Sequence, residues 1–245
     1  MQFQVLGVVK TCKDDVAIPL PPKPRHLLAI LLSRKGRPVS ADHLIDLLWG
    51  DRPPRTARKN LQVQVCCLRR LLDDPGRITL SGSGYEASLD SEELDAHVFE
   101  RLVDSGRASL AEGHVPEGIR TLREALALWS GVAYDGLTTA EGVFHERSRL
   151  TEIKLAAMED LYDAEIARGC HREVLPEIFE VSLEHPYREG LLAQLLLATY
   201  RDGRPNEAIA LYHQRRELFV RELGTEPGRR LRALYEAMLN EDVLL

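Results

Sequence analysis

Long apolar runs are missing from this sequence: the longest covers six residues, 27–32, against the roughly 20 that a membrane-spanning helix needs. The opening "MQFQVLGVVK" has no basic flank, apolar stretch and small-residue cleavage site in succession. No secretory signal is read there, and the expected compartment is the cytoplasm. Cysteine is scarce as well. Cys12, Cys66, Cys67 and Cys170 form no C-x-x-C pair, and adjacent Cys66 and Cys67 cannot both face one tetrahedral metal from a regular helix. They read as small packing residues in a reducing compartment, with no metal site expected. Catalytic signatures are absent too: there is no H-E-x-x-H, no G-x-S-x-G and no glycine-rich loop ending in G-K-[ST]. The histidines are scattered, and the carboxylates of the second half recur at helical spacings that suit a solvated face. The chain is therefore expected to be no enzyme, with no catalytic residues and no cofactor.

What is present is a division of charge. The 245 residues, enough for one large domain or two ordinary ones, carry a formal net charge of −6. Residues 1–92 hold 14 Lys+Arg and 10 Asp+Glu, a net of +4, while residues 93–245 hold 18 and 28, a net of −10. A basic front joined to an acidic back implies two different partners, the first an anion.

The front half reads as a small antiparallel sheet up to Leu20, with "FQVLGVV" and "VAIPL" on either side of a polar turn "CKDD". A helix follows, starting at Pro24 and ending by Gly36, with Leu27, Leu28, Leu31 and Leu32 inward. Ser40 caps a second helix with a Leu44, Leu47, Leu48 stripe, which Gly50 stops. After the loop "GDRPPRT" comes a third helix, "TARKNLQVQVCCLRRLL", opened by Thr56 as its cap. Then "RITLS" and "YEASL", separated by "GSG", form a hairpin. Sheet, three helices and hairpin together make a winged helix-turn-helix.

From about Glu93 the pattern is helical throughout. "GHVPEGI", "GCHREVL" and "GRPNEAI" all read G-x-x-x-E-x-(I/L), and Gly169 and Gly203 lie 34 residues apart, the period of tetratricopeptide helix pairs. Ala208 supplies the small residue that a close helix crossing requires; Gly118 and Val174 occupy that position in the other copies, so the repeat is degenerate.

Projected at about 100° per residue, the third helix buries Leu61, Val65, Leu68 and Leu72, with Ala57 beside them. Arg55, Lys59, Gln62, Val63, Cys66 and Arg70 lie opposite, bordered by Asn60, Cys67 and Arg69. Cations for phosphates, an amide for an adenine edge and an aliphatic spot for a thymine methyl are the mixture that the major groove of DNA accepts. Lys59, Gln62, Val63, Cys66 and Arg70 are the candidate groove residues, and Arg55, Thr56, Arg58 and Arg69 the candidate phosphate contacts. The plain alternative is a solvated basic helix, and the surrounding winged-helix pattern favours DNA. At the hairpin tip, Ser83 either touches one phosphate or belongs to a simple turn.

These residues resemble a known family. "LIDLLWGDRPPRTARKNLQVQVCCLRRLL", "LDAHVFERLVDSGRASLAEG", "LREALALWSG", "RLTEIKLAAMEDLYDAEIARG" and "ELGTEPGRRLRALYEAML" are similar to the Streptomyces antibiotic regulatory protein (SARP) family over nearly the whole chain. The resemblance implies a mostly α fold. An OmpR-type winged-helix DNA-binding domain at 1–92 would precede a bacterial transcriptional activation domain at 93–245, all-helical and tetratricopeptide-like. It implies a sequence-specific activator of a secondary-metabolite (antibiotic) gene cluster. Its implied partners are double-stranded promoter DNA with direct repeats, RNA polymerase with its sigma factor, and a second copy of itself on DNA. Thr56, Arg58, Gln62 and Arg69 match the family's recognition helix. Asp51, Arg52 and Pro53, beside Trp49 and Gly50, fall in its candidate polymerase-contact loop. The sequence departs from the pattern at Cys66 and Cys67, where Ser then Arg is usual, at Glu86, where Arg is usual, and at "LPPKPRHLL". As read, it has no receiver domain ahead of the sheet and no nucleotide-binding domain after it. The alternative reading is a helical-repeat interaction adaptor or a ligand-responsive repressor.

Overall fold

A computed structural model describes residues 1–14, 16–137 and 141–241. Two compact units form: unit 1 from residues 1–106 and 120–155, unit 2 from residues 107–119 and 156–245.

Unit 1 begins with a three-stranded antiparallel sheet, β1 (Gln2–Gln4), β2 (Lys10–Lys13) and β3 (Val16–Ile18), in that order across the sheet. The "CK" of the expected polar turn is strand instead. β2 is the central strand, pairing Cys12 with both Gln2 and Ala17, so two neighbours override its polar composition. The segment after β1 is sewn to the rest of the unit by its backbone. Val5 and Leu6 donate to the Asp95 carboxylate, and the Val5 and Gly7 carbonyls accept from Tyr134 and Asp135.

Helix α1 (Pro22–Leu32) starts two residues before the expected Pro24, and buries Leu27, Leu28, Leu31 and Leu32 as its spacing predicts. A two-residue strand that the sequence reading lacks, β4 (Val39–Ser40), follows. Ser40 then caps α2 (Ala41–Trp49), its hydroxyl accepting the His43 N–H at 3.2 Å. Next come α3 (Ala57–Leu71) and the hairpin β5 (Ile78–Ser81) and β6 (Gly84–Ala87), joined by the two-residue turn of Gly82 and Ser83. β4 pairs with β6 through Val39↔Tyr85 and Ser40↔Gly84, making a sheet of order β4-β6-β5. A side chain at position 84 would run into the Val39 carbonyl, so only glycine permits this pairing. Beyond the hairpin the regular elements among the described residues are helices: α4 (Asp95–Ala111), α5 (Val115–Ala127), α6 (Phe144–Ala167), α7 (His171–Glu184), α8 (Glu189–Arg201), α9 (Pro205–Leu223) and α10 (Arg229–Leu239), with one short 3-10 turn before α6.

In unit 2 the three repeat glycines do one job. Gly113, Gly169 and Gly203 all take left-handed backbone, φ +82°, +83° and +78°. Each closes the preceding helix with the same pair of bonds. The glycine N–H reaches the carbonyl three residues back and the next N–H the carbonyl five back: Gly169 to Ile166 and Cys170 to Glu165, Gly203 to Tyr200 and Arg204 to Thr199. This is a Schellman closure, which satisfies carbonyls that the helix end leaves free. Gly118, Val174 and Ala208, the small positions of the repeat, are all buried. Leu192, Leu196, Ala208, Tyr212, Phe219, Leu231 and Met238 form a core among α8, α9 and α10, and Tyr212 and Tyr235 stack with ring centroids 4.0 Å apart.

Candidate nucleic-acid interface

Helix α3 sits on α1 and α2 through the stripe its period predicts. Ala57, Leu61, Val65, Leu68 and Leu72 are all buried. The opposite face is open. Lys59, Gln62, Val63, Cys66 and Arg70 are exposed, and with Cys67 and Leu71 they line an open depression of about 590 Å3. Val63 keeps 55% of its surface in solvent, which leaves an aliphatic group open between the polar ones. Arg69 and Arg70 in the last turn also complement the helix dipole.

The other candidates are less uniform. Arg55 and Thr56 are exposed at the start of α3. Thr56 stands at the cap position, but its hydroxyl makes no capping bond, which corrects the expected side-chain cap. Its φ of −98° and ψ of 22° lie outside the extended region from which a cap hydroxyl reaches back. Arg58 is ion-paired to Asp42 of α2 at 2.7 Å, with both side chains more than 70% exposed. Such a pair contributes about 0.2–1 kcal/mol, so a phosphate oxygen competes readily for the guanidinium. Arg69 is half-buried, and its Nε donates to the Ile78 carbonyl at 2.9 Å, splinting α3 to the start of β5.

Tertiary contacts position the hairpin at both ends. At its tip the Ser83 side chain is exposed while its carbonyl accepts the Ala41 N–H at 3.1 Å, holding the turn at the start of α2. At its base, the Arg77 Nη1 and Nε donate to Glu93 and Asp73, each at 2.6 Å. Glu93 first, then Asp73, stabilise the Arg77 cation, and the Arg77 hydrogen bonds hold both carboxyls below their usual range. Glu86 is half-buried and accepts the Thr79 hydroxyl at 3.2 Å across the hairpin. Asp51, Arg52 and Pro53 are all exposed in the loop between α2 and α3, and the Lys23 ammonium lies 4.7 Å from the centre of the Trp49 ring at the loop's start.

Sequence reasoning passed over the start of α2. The exposed Asp42 and His43 stand beside the pinned hairpin tip and the Arg58 pair. Their place depends on β4, whose two residues carry no periodicity to detect. Among the described residues no group of His, Cys, Asp and Glu is arranged to hold a metal, and no helix is long and apolar enough to cross a membrane.

A winged helix with an open cationic face, followed by glycine-turned helix pairs, defines a transcriptional regulator, and comparison with known proteins agrees. Residues 94–239 match the family described as bacterial transcriptional activator domain, and residues 15–87 match transcriptional regulatory protein, C terminal. The chain belongs to the Streptomyces antibiotic regulatory protein family. It is 35% identical to the regulatory protein AfsR of Streptomyces coelicolor over 247 residues, all of this chain but 25% of AfsR. It is 30% identical to the regulatory protein DnrI of Streptomyces peucetius over 253 residues, 99% of this chain and 93% of DnrI. It thus spans a quarter of one relative and nearly all of the other. A solved structure of Mycobacterium tuberculosis EmbR in complex with a low-affinity phosphopeptide superposes with a TM-score of 0.92 at 33% identity, covering 98% of this chain and 65% of EmbR.

Proposed function

We propose that this protein activates a secondary-metabolite gene cluster by binding direct repeats in promoter DNA and recruiting RNA polymerase with its sigma factor. Residues 1–92 carry the DNA-binding function and residues 93–245 the activating one. Lys59, Gln62, Val63, Cys66 and Arg70 enter the major groove, where a good base contact gives about 1–3 kcal/mol of discrimination. Arg55, Thr56, Arg58, Arg69 and Ser83 meet phosphates, and Asp51, Arg52 and Pro53 form a loop toward polymerase. The observation that carries the reading is the open α3 face, on which two cations flank an amide and an exposed valine. Similarity to the regulatory protein DnrI over nearly its whole length supports it.

Two copies on adjacent repeats, each tethered to polymerase, raise the effective concentration of polymerase at the promoter. Glu86 and Cys67 stand where the family resemblance implies cations, so phosphate affinity per copy is reduced and the second copy matters more. Footprinting of the full chain on the promoter beside its own coding sequence tests this. Protection of a direct repeat, one block per copy, is the expected result. Absence of any protected repeat at low salt overturns it and leaves the adaptor reading.

A further inference from the structure

Unit 2 carries an open groove of about 530 Å3 between α7 and α9 with its floor on α8. Leu175, Pro176 and Phe179 form one wall, Leu195 the floor, and Leu211 and Gln214 the other wall. Phe179 is 47% exposed and Leu183, one turn further along α7, is 54% exposed. Leu175, Phe179 and Leu183 succeed one another at four-residue steps, so they form one apolar stripe along the groove side of the helix. An aromatic and a leucine left in solvent beside a concavity mark an interaction surface more than an isolated apolar residue does.

The charge beside the stripe indicates what covers it. Glu173, Glu177, Glu180 and Glu184 project from the neighbouring strip of α7, all exposed. Glu173, Glu180 and Glu184 have no ion-pair partner among the described residues, whereas the nearby cations are already neutralised: Arg172 in the first turn of α7 by Asp202, and Arg204 before α9 by Glu207 and Asp202. An apolar slot with an acidic strip beside it asks for one kind of occupant.

We propose that this groove docks an amphipathic, lysine- or arginine-bearing protein helix, its apolar side chains set between α7 and α9 and its cations along Glu173, Glu180 and Glu184. The inference deepens the activator reading by giving the polymerase-recruiting half a contact surface, and it rests on that reading for the identity of the partner as a component of the transcription machinery. The recognition is a helix laid in a groove, with apolar anchors for affinity and charge for selectivity.

The test uses the full chain and a fluorescent 14-residue helical peptide of Leu and Lys with all leucines on one face. Two controls accompany it, one with the same composition scrambled and one with Glu replacing Lys. Anisotropy titrations should show one site for the amphipathic basic peptide and neither control binding comparably. Phe179→Ser should weaken binding by roughly tenfold, as loss of a central aromatic anchor does. The double variant Glu180→Lys, Glu184→Lys should weaken it and remove its salt dependence. Thermal melting and the promoter gel shift serve as folding controls, since both positions are solvent-facing and remote in sequence from α3. Equal binding of the scrambled peptide, or affinity within twofold of wild type in Phe179→Ser, overturns the groove assignment while leaving promoter binding to be judged separately. Failure of the gel shift in the unaltered chain instead overturns the activator reading and leaves the peptide result standing.

Discussion

The carboxylate of Asp95 accepts the Val5 backbone N–H through both oxygens at 2.9 Å and the Leu6 N–H at 3.0 Å, so one side chain at the start of α4 fixes the segment that follows β1. Burial pushes its carboxyl up to about 6 against the pull of these backbone donors. A carboxyl raised in the folded state contributes stability below its ordinary value of 3.8, and that contribution is lost as pH rises through about 6. Urea unfolding of wild type should therefore show on the order of 2 kcal/mol of this dependence between pH 4 and 7. Asp95→Asn should flatten it. Asp95→Ala should flatten it too, and should cost about 1–3 kcal/mol at pH 7, because two buried N–H groups lose their acceptor, and about 2 kcal/mol more at pH 4, where wild type keeps its protonated carboxyl. Identical pH profiles for wild type and Asp95→Asn would show that the raised carboxyl has no role.

Arg69 ties α3 to the hairpin as well as standing among the phosphate candidates. Arg69→Ala should lower stability by about 1 kcal/mol through loss of the bond to Ile78, and weaken DNA binding on every sequence alike. Arg69→Lys should recover charge without the Nε geometry. Gel shifts and melts on the same samples separate the two effects, and full recovery of both by Lys would reduce Arg69 to a simple charge.

Lys59 and Gln62 make different predictions although they lie three residues apart on one exposed face. Lys59→Ala should reduce affinity across all duplexes and lower the log–log salt slope by about 0.9, one phosphate's share. Gln62→Ala should leave the slope unchanged and relax preference at one base pair by about 1–3 kcal/mol. Competition gel shifts over a salt series measure both quantities. Wild-type behaviour in both variants would remove α3 from the DNA interface.

Gly84 tests whether the β4 pairing positions the hairpin. A methyl at residue 84 would collide with the Val39 carbonyl, so Gly84→Ala should break the β4–β6 pairing and release the Ser83 carbonyl from Ala41. Hydrogen exchange at the Ala41 amide should rise and DNA affinity fall, while the α3 core stays folded. A protected Ala41 amide in Gly84→Ala would contradict this role.

Particular elements show how much the sequence disclosed. The inner stripe of α3 was legible because a 3.6-residue period states which side chains share a face, and Leu61, Val65 and Leu68 obey it. The repeat glycines were legible because left-handed helix ends select glycine, and all three adopt that backbone. β4 escaped notice because two residues have no period, and they became a strand only when β6 arrived beside them. "CK" became strand for the same reason, lying between two partners. Among the site residues, exposure was legible and engagement was not. No spacing rule announces that Arg58 pairs with Asp42 or that Arg69 reaches Ile78.

The sequence by itself determined the helices, their inward faces, the turns between them and the opposition of a basic front to an acidic back, because each follows from residue types within a few positions of one another. Tertiary structure alone decided which cations of α3 stay open, how the hairpin is pinned to α2, that Asp95 is held half-buried against Val5 and Leu6, and that the acidic strip of α7 borders a groove between α7 and α9. These depend on groups brought together from distant parts of the chain. Their energies come from desolvation and from hydrogen-bond geometry, which only the packed molecule defines.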